Sequence, residues 1–469
     1  MPLPPRFALA LASTLALAGC RRTARPSGAN VVLISIDTLR ADHLSCYGYG
    51  RRTTPNIDRL AQEGTLVTQA YASSSWTVPS HMTMLTGLPP SRHGVDRPGR
   101  SLASDHVTLA EWLRGAGYQT AAFVSGPTLH RAFGFDHGFD TYENTMAFAR
   151  RDFVGGDPTM PSEQAQRRAH QLVTGPRVQA AVERWLDHNA RPPFFLFVHL
   201  WDPHYDYIPP PPYDTRFDPD YHGDFDFSDV PFNPRINAHM PERARQHLLA
   251  LYDGEIAATD AVVGALRDAL ERHGWLADTL LVVTADHGEE FFDHGHKGHM
   301  RSLFEEMIHV PLVVRFPGRV PAGRRLDAVF ASIHLMPTIL GLLGLPAPPL
   351  APARDLSAML RGGPVPQDLW AFAELEHGRE QPLYAVRVGQ QKYVGEIGEQ
   401  AQVLVENLAV DAAEQHPTPA DAAERRAFAI WVERALGEAR RADRQSGPAP
   451  ALDPETRREL RALGYLAGP

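Results

Sequence analysis

The sequence predicts an α/β protein: a doubly wound, mostly parallel sheet followed by a smaller C-terminal α+β subdomain. Three observations predict it. Mostly apolar runs of strand length at 31–36, 194–200 and 280–284 suit parallel strands covered on both faces. Stretches with helical apolar spacing separate them, which is the alternation of a wound sheet. Each run is followed within two residues by an acid, Asp37, Asp202 or Asp286. Ligand sites in such sheets form outside the carboxyl ends of the strands.

The totals fit one large or two moderate domains. A chain of 469 residues with 43% hydrophobic content buries a large core. Its formal charge of −9 argues against a nucleic-acid partner. Positive charge is almost all arginine, the lysines being Lys297 and Lys392 alone. Two cysteines are too few for a disulfide framework. The apolar run at 7–18, with Arg6 ahead of it, falls short of the ~20 residues needed to span a bilayer and has signal-peptide proportions. Leu17-Ala18-Gly19-Cys20 matches the bacterial lipobox, which predicts export and a lipid anchor at Cys20 in the cell-envelope membrane. An ordinary cleaved signal is the alternative. Cys46 is then a lone thiol, expected to be buried and inert. The expected division is a leader at 1–20, a tether at 21–29, a catalytic domain at 30–345, a linker at 346–364 and the C-terminal subdomain at 365–469.

The elements follow in order. After the first strand and Asp37, Ile57, Leu60 and Ala61 take helical spacing, with Gly64 as the stop. In the run 73–87, Pro79 suits the first turn of a helix that continues through Met82, Met84 and Leu85. Thr77 then stands at the helix start, where unpaired N–H groups and the dipole favour an anion; it also suits a plain N-cap. Thr108 and Glu111 form a capping box, with Val107 and Trp112 spaced as a hydrophobic staple. Gly117 ends that helix and 121–124 is a further strand. Residues 144–190 are polar and helical in pattern. The segment 205–234 lacks periodicity and reads as a long surface loop at the substrate mouth. Leu248, Leu251, Tyr252, Ile256, Val262, Leu266 and Leu270 mark an amphipathic helix closed by Gly274. The last core helix spans 333–344. Strand-like pieces at 384–388 and 391–394, charged helices and an apolar end at 460–466 complete the chain.

Thr77-x-Pro79-Ser80-His81-x-x-x-Leu85-Thr86-Gly87 resembles the sulfatase signature of the alkaline phosphatase superfamily. Thr54-Pro55-Asn56-Ile57-Asp58-Arg59-Leu60-Ala61-x-x-Gly64 and Thr284-x-Asp286-His287-Gly288-Glu289 resemble other segments of that family. The resemblance covers nearly all of the chain after residue 30 and implies an alkaline-phosphatase-like fold. It implies a divalent metal site at Asp37, Thr77, Asp286 and His287, and anion contacts at His204 and His299. Gly298-His299 with the sequence around Val310-Pro311-Leu312 keeps the family's frame, whereas His294 and His296 read equally as solvated loop residues.

Departures from the family carry information. The nucleophile position, Cys or Ser in sulfatases, is Thr77, whose β-methyl prevents conversion to formylglycine. The signature's Arg is His81. Thr38 stands where a second Asp is usual, and His287 where Asn is common. Losing an oxygen ligand and gaining a nitrogen favours zinc or manganese over calcium, which stays possible. The family's sulfate-binding lysines are missing, and Phe123-Val124-Ser125-Gly126 stands where one of them is common. The expectation is a metal-activated Thr77 nucleophile acting on a phosphate mono- or diester, or transferring a phosphoryl group. Threonine nucleophiles are familiar in the superfamily's phosphodiesterase and phosphotransferase branches. His81, His204 and His299 are expected to supply hydrogen bonds and protonate the leaving group. A sulfuric-ester hydrolase, or a lipid-anchored binding protein without catalysis, is the alternative.

Overall fold

The computed structural model describes residues 28–96, 99–144, 175–350, 352–398 and 401–437, with isolated positions beyond. The expected leader with Cys20, the expected tether up to residue 27, most of 144–190 and the C-terminal stretch 460–466 lie outside the described residues.

Eight strands form the main sheet: β1 (Asn30–Ile36), β2 (Thr65–Tyr71), β3 (Gln119–Val124), β4 (Thr141–Asn144), β5 (Phe194–Leu200), β6 (Thr279–Ala285), β9 (His309–Arg315) and β10 (Arg324–Ala331). Between β6 and β9 lies a small hairpin, β7 (Glu290–Phe291) with β8 (Lys297–Gly298). The strand order is β10-β2-β9-β6-β1-β5-β3-β4. All neighbours run parallel except β9, which is antiparallel to both β2 and β6. Every residue of β1, β5 and β6 is buried, as the mostly apolar runs lead one to expect of strands covered on both faces. The pairing of β1 with β5 and β6 brings Asp37 and Asp286 out at the same edge.

A second sheet of antiparallel strands follows: β11 (Trp370–Leu375), β12 (Leu383–Val388), β13 (Gln391–Gly395), β14 (Val403–Asn407) and β15 (Thr418–Pro419). Helix Ala422–Leu436 buries Phe428 and Val432 against it, capped by Asp421 and Glu424. This sheet is joined to the catalytic part beside the Thr77 helix. The Glu374 N–H donates to the Ser73 carbonyl (2.9 Å), and the Ser74 hydroxyl donates to the Glu374 carbonyl (2.8 Å).

Three local expectations are modified. The Thr108–Glu111 capping box forms on helix Leu109–Gly115, but Val107 stays 44% exposed and gives little to a staple. The Trp112 indole N–H instead donates to the Pro346 carbonyl, tying that helix to the segment after the core. That segment, expected as a plain linker, contains a helical turn, Ser357–Leu360, with Met359 and Leu360 buried. The loop after residue 204 is a surface loop only in its middle: Tyr205, Asp206 and Tyr207 are buried, and Asp206 accepts the N–H groups of Asp229 and Val230 (2.7 Å each).

Candidate active site

Thr77 is not a cap. Trp76 is the N-cap residue and makes no side-chain cap bond; Thr77 opens helix Thr77–Thr86, and every residue of that helix is buried. Its Oγ1 lies 3.4 Å from His287 Nε2. Met300, at φ +69°, donates its N–H to the Ser75 carbonyl (3.0 Å), so the segment after β8 closes on the helix start and brings His299 in.

Asp37, Asp286 and His287 form a buried set whose ligand-capable atoms all lie within 4.8 Å of one another. His287 Nε2 is 3.6 Å from Asp37 Oδ1 and 3.4 Å from Asp286 Oδ2. Its Nδ1 faces the Gly288 carbonyl at 2.8 Å, an acceptor, so Nδ1 carries the hydrogen and Nε2 offers a lone pair. Both Asp37 oxygens and Asp286 Oδ2 are buried without a hydrogen-bond donor. Burial first, then the charge of Glu289, pushes the Asp37 carboxyl well above the ordinary range. Burial and Asp37 do the same to Asp286. Two dry carboxylates facing an imidazole lone pair are held together favourably by a positive charge among them. The donor set therefore fits a divalent cation.

Thr38, after Asp37, adopts φ +53° with its hydroxyl buried and unpartnered. Its N–H donates to Asp286 Oδ1 (3.3 Å) and its carbonyl accepts from the Tyr252 hydroxyl (2.7 Å). A β-branched residue at positive φ marks a turn held by its surroundings.

The histidines share one device. His81, His199, His204 and His287 each direct Nδ1–H at a backbone carbonyl, of Thr77 (2.9 Å), Ser125 (2.7 Å), Tyr205 (2.9 Å) and Gly288 (2.8 Å). Their Nε2 atoms are thereby fixed for other uses. For His81 that use is internal: Nε2 meets the Ser35 hydroxyl at 2.9 Å. With both nitrogens engaged, and burial followed by His199 holding its pKa well below the usual range, His81 is a poor proton donor to a leaving group. His81 braces β1 against the Thr77 helix through these two contacts. The imidazole is shorter than the arginine of the family signature and ends at Ser35.

His204 packs against Trp201 (ring centroids 4.0 Å) and lies 5.0 Å from the His299 ring. His299 approaches the His287 ring to 4.7 Å, and its Nδ1 donates to Glu289 Oε1 (3.0 Å). Burial, then the charge of His377, lowers the His299 pKa to about 3. The other loop histidines stay out of the site. His294 bonds Glu306 Oε1 (2.7 Å) and the Glu414 carbonyl (3.1 Å), and His296 is exposed.

Two site residues escaped the sequence reading. His199 lies inside β5 with Nε2 3.3 Å from Asp37 Oδ2 and its ring 4.9 Å from His81, edge to face. Glu289 orients His299. The available signals were a histidine within an otherwise apolar strand and a carboxylate three residues after Asp286. Asp202, the acid that follows β5, accepts the Gly175 N–H through Oδ2 (3.1 Å).

An acid and histidine cluster at the carboxyl edge of a mostly parallel sheet, with a hydroxyl at a helix start, defines an ester hydrolase of the alkaline phosphatase superfamily. The chain belongs to the sulfatase family, whose model matches residues 29–345. Steryl-sulfatase of Rattus norvegicus is 29% identical over 413 residues, covering 72% of this chain and 71% of the relative. Arylsulfatase A of Homo sapiens is 28% identical over 435 residues, covering 84% and 78%. Among solved structures, the phosphonate monoester hydrolase of Agrobacterium radiobacter superimposes with TM-score 0.68 at 25% identity, covering 88% of this chain and 96% of that one. The phosphonate monoester hydrolase of Silicibacter pomeroyi gives TM-score 0.70 at 22% identity, covering 91% and 100%, a likeness of fold.

Proposed function

We propose that the protein hydrolyses, or transfers the phosphoryl group of, an anionic phosphorus ester, with Thr77 as the covalent nucleophile. One observation carries this reading: Thr77 Oγ1 stands at a helix start, 3.4 Å from His287 Nε2, inside the buried Asp37, Asp286 and His287 set. Asp37, Asp286, His287 and Thr77 would hold the cation, zinc or manganese in preference to calcium because one donor is an imidazole nitrogen. A bound divalent ion supplies charge neutralisation for the ester and a lowered pKa for the Thr77 hydroxyl.

The residues divide the remaining work. Thr77 loses its hydroxyl proton to solvent water, its Oγ1 bonds to phosphorus, and the bond to the leaving oxygen breaks as that oxygen takes up a proton. His204 and His299 are held by their Nδ1 atoms; with the anionic ester bound, whose charge raises the proton affinity of the buried His299, a protonated imidazole of this pair would give its proton to the leaving oxygen. Water then displaces the Thr77 oxygen from phosphorus, or an acceptor alcohol does so in transfer. A threonine sulfate lacks the elimination route that a formylglycine hydrate provides, which favours phosphorus over sulfur. The sulfatase names of the curated relatives favour the second reading, a sulfuric ester.

The lipobox at Cys20 supports export and attachment to the envelope membrane. No helix among the described residues is long and apolar enough to cross a membrane.

The test uses metal-stripped protein resupplied with zinc, manganese or calcium, with phenyl phosphate, diphenyl phosphate and phenyl sulfate compared in wild type and Thr77→Ala. Metal-dependent phosphate-ester turnover that Thr77→Ala abolishes supports the proposal. Turnover confined to the sulfate ester contradicts it.

A further inference from the structure

We infer that Tyr252 is a positioning residue for the metal site: its hydroxyl holds the turn after β1 in the shape that brings Asp37 and Asp286 to one cation. This rests on the cation named in the proposed function.

The turn connects the two carboxylates through backbone. The Asp37 N–H donates to the Leu200 carbonyl at 2.9 Å, which ties the end of β1 to the end of β5. The next amide, that of Thr38, donates to Asp286 Oδ1 at 3.3 Å. One peptide unit therefore joins the residue carrying the first carboxylate to the second carboxylate itself. Thr38 makes that contact from a left-handed backbone, φ +53°. A β-branched residue leaves that region unless something holds it there.

Tyr252 is placed to hold it. The residue lies on helix Glu242–Arg272 and is fully buried. Its hydroxyl donates to the Thr38 carbonyl (2.7 Å) and accepts the Arg40 N–H (3.1 Å), bridging the two sides of Leu39. One hydroxyl thus satisfies two buried backbone groups of the turn. The ring is confined: it packs edge-on against His43 (centroids 5.0 Å) and Tyr207 (5.5 Å), and lies 4.8 Å from Phe291. Arg40 extends the connection, since its Nη1 donates to the Glu289 carbonyl at 3.1 Å, three residues past Asp286. Both hydroxyl bonds are to backbone, so Tyr252 acts on the cation through the turn. Without the hydroxyl, Thr38 is free to return to negative φ, which turns its N–H away from Asp286. Cation–ligand distances hold to within about 0.2 Å of their preferred values, so that rotation weakens binding.

The fold supplies a matched control. The Tyr47 hydroxyl donates to the Val67 carbonyl (2.7 Å) and accepts the Leu312 N–H (2.8 Å), the same pair of bonds outside the metal set. The experiment measures the zinc Kd of metal-stripped full-length protein by competition with a chelating dye, alongside urea melts without metal. Tyr252→Phe is expected to weaken zinc about tenfold, or 1.4 kcal/mol. Tyr47→Phe is expected to shift the urea midpoint about as far as Tyr252→Phe does and to leave the zinc Kd within about twofold. Thr38→Gly, which takes φ +53° without strain, is expected to cut the Tyr252→Phe penalty to about threefold or less. An unchanged zinc Kd in Tyr252→Phe, or an equal loss in Tyr47→Phe, overturns the inference. So does a penalty that Thr38→Gly leaves undiminished. A wild type that binds none of zinc, manganese and calcium overturns the cation site and this inference with it, a result distinct from tight wild-type binding that Tyr252→Phe leaves unchanged.

Discussion

Ser35 and His81 stand 46 residues apart and meet at 2.9 Å, hydroxyl to Nε2. Ser35 lies two residues before Asp37 on β1, and His81 lies four after Thr77 on its helix. The bond joins the element carrying a metal-site carboxylate to the one carrying the hydroxyl. Removing either partner should loosen the Asp37 to Thr77 distance, and misplacement of reacting groups is costly to rate. Ser35→Ala and His81→Asn are each expected to lower kcat about tenfold or more with little change in KM. The double variant should be no worse than the worse single one, and Ser35→Thr should restore activity. A thermal melt that falls while kcat holds would show a purely structural bond.

The metal site predicts a linkage. Zinc at a hundredfold excess over its Kd should raise the stability of the wild type by about 2.7 kcal/mol. Asp286→Asn should lose most of that gain, because it removes a carboxylate from a set that needs charge balance. His287→Asn should move preference from zinc toward calcium. Thermal melts with each ion read both effects independently of turnover.

Glu374 gives a pH prediction. Burial raises its pKa to about 8, against the Ser91 N–H that lowers it. The folded state therefore binds a proton more tightly than the unfolded chain. Its stabilising effect is complete below the ordinary carboxyl pKa of about 4.5 and is lost as pH rises through 8. Wild type should lose on the order of a few kcal/mol between pH 5 and 9 from this group. Glu374→Gln, neutral throughout, should flatten that part of the profile in urea melts. An unchanged slope would place the pH dependence elsewhere.

Lys392 is 1% exposed and bonds Glu305 Oε1 at 3.1 Å and Glu414 Oε1 at 2.9 Å, pinning β13 to the residues after the β7–β8 hairpin. Lys392→Met leaves the buried Glu414 and the half-buried Glu305 carboxylates, with Arg387 as a cation still on Glu305. The expected loss is roughly 3 kcal/mol, read from denaturant midpoints. The effect should shrink when Glu414→Gln is added.

Much of this was legible in the sequence, for identifiable reasons. The runs in β1, β5 and β6 are mostly apolar because both faces are covered, so strand and burial could be read together. Asp37 and Asp286 were readable because strand ends in wound sheets are where ligands go. His199 was hidden because a histidine inside an apolar strand looks like core; only the Asp37 carboxylate across the strand pair gives it meaning. The bracing contact of His81 was hidden because its spacing from Thr77 is visible in the sequence and its partner Ser35 is not.

The most direct measurement concerns Thr77. Zinc-loaded protein would be mixed with phenyl phosphate labelled at phosphorus, quenched in acid during turnover and mapped by peptide mass spectrometry. The account predicts label as phosphothreonine at position 77, absent from Thr77→Ala, which should also lose turnover by at least about a thousandfold, or 4 kcal/mol. Steady turnover in Thr77→Ala, or label on another residue, would contradict it.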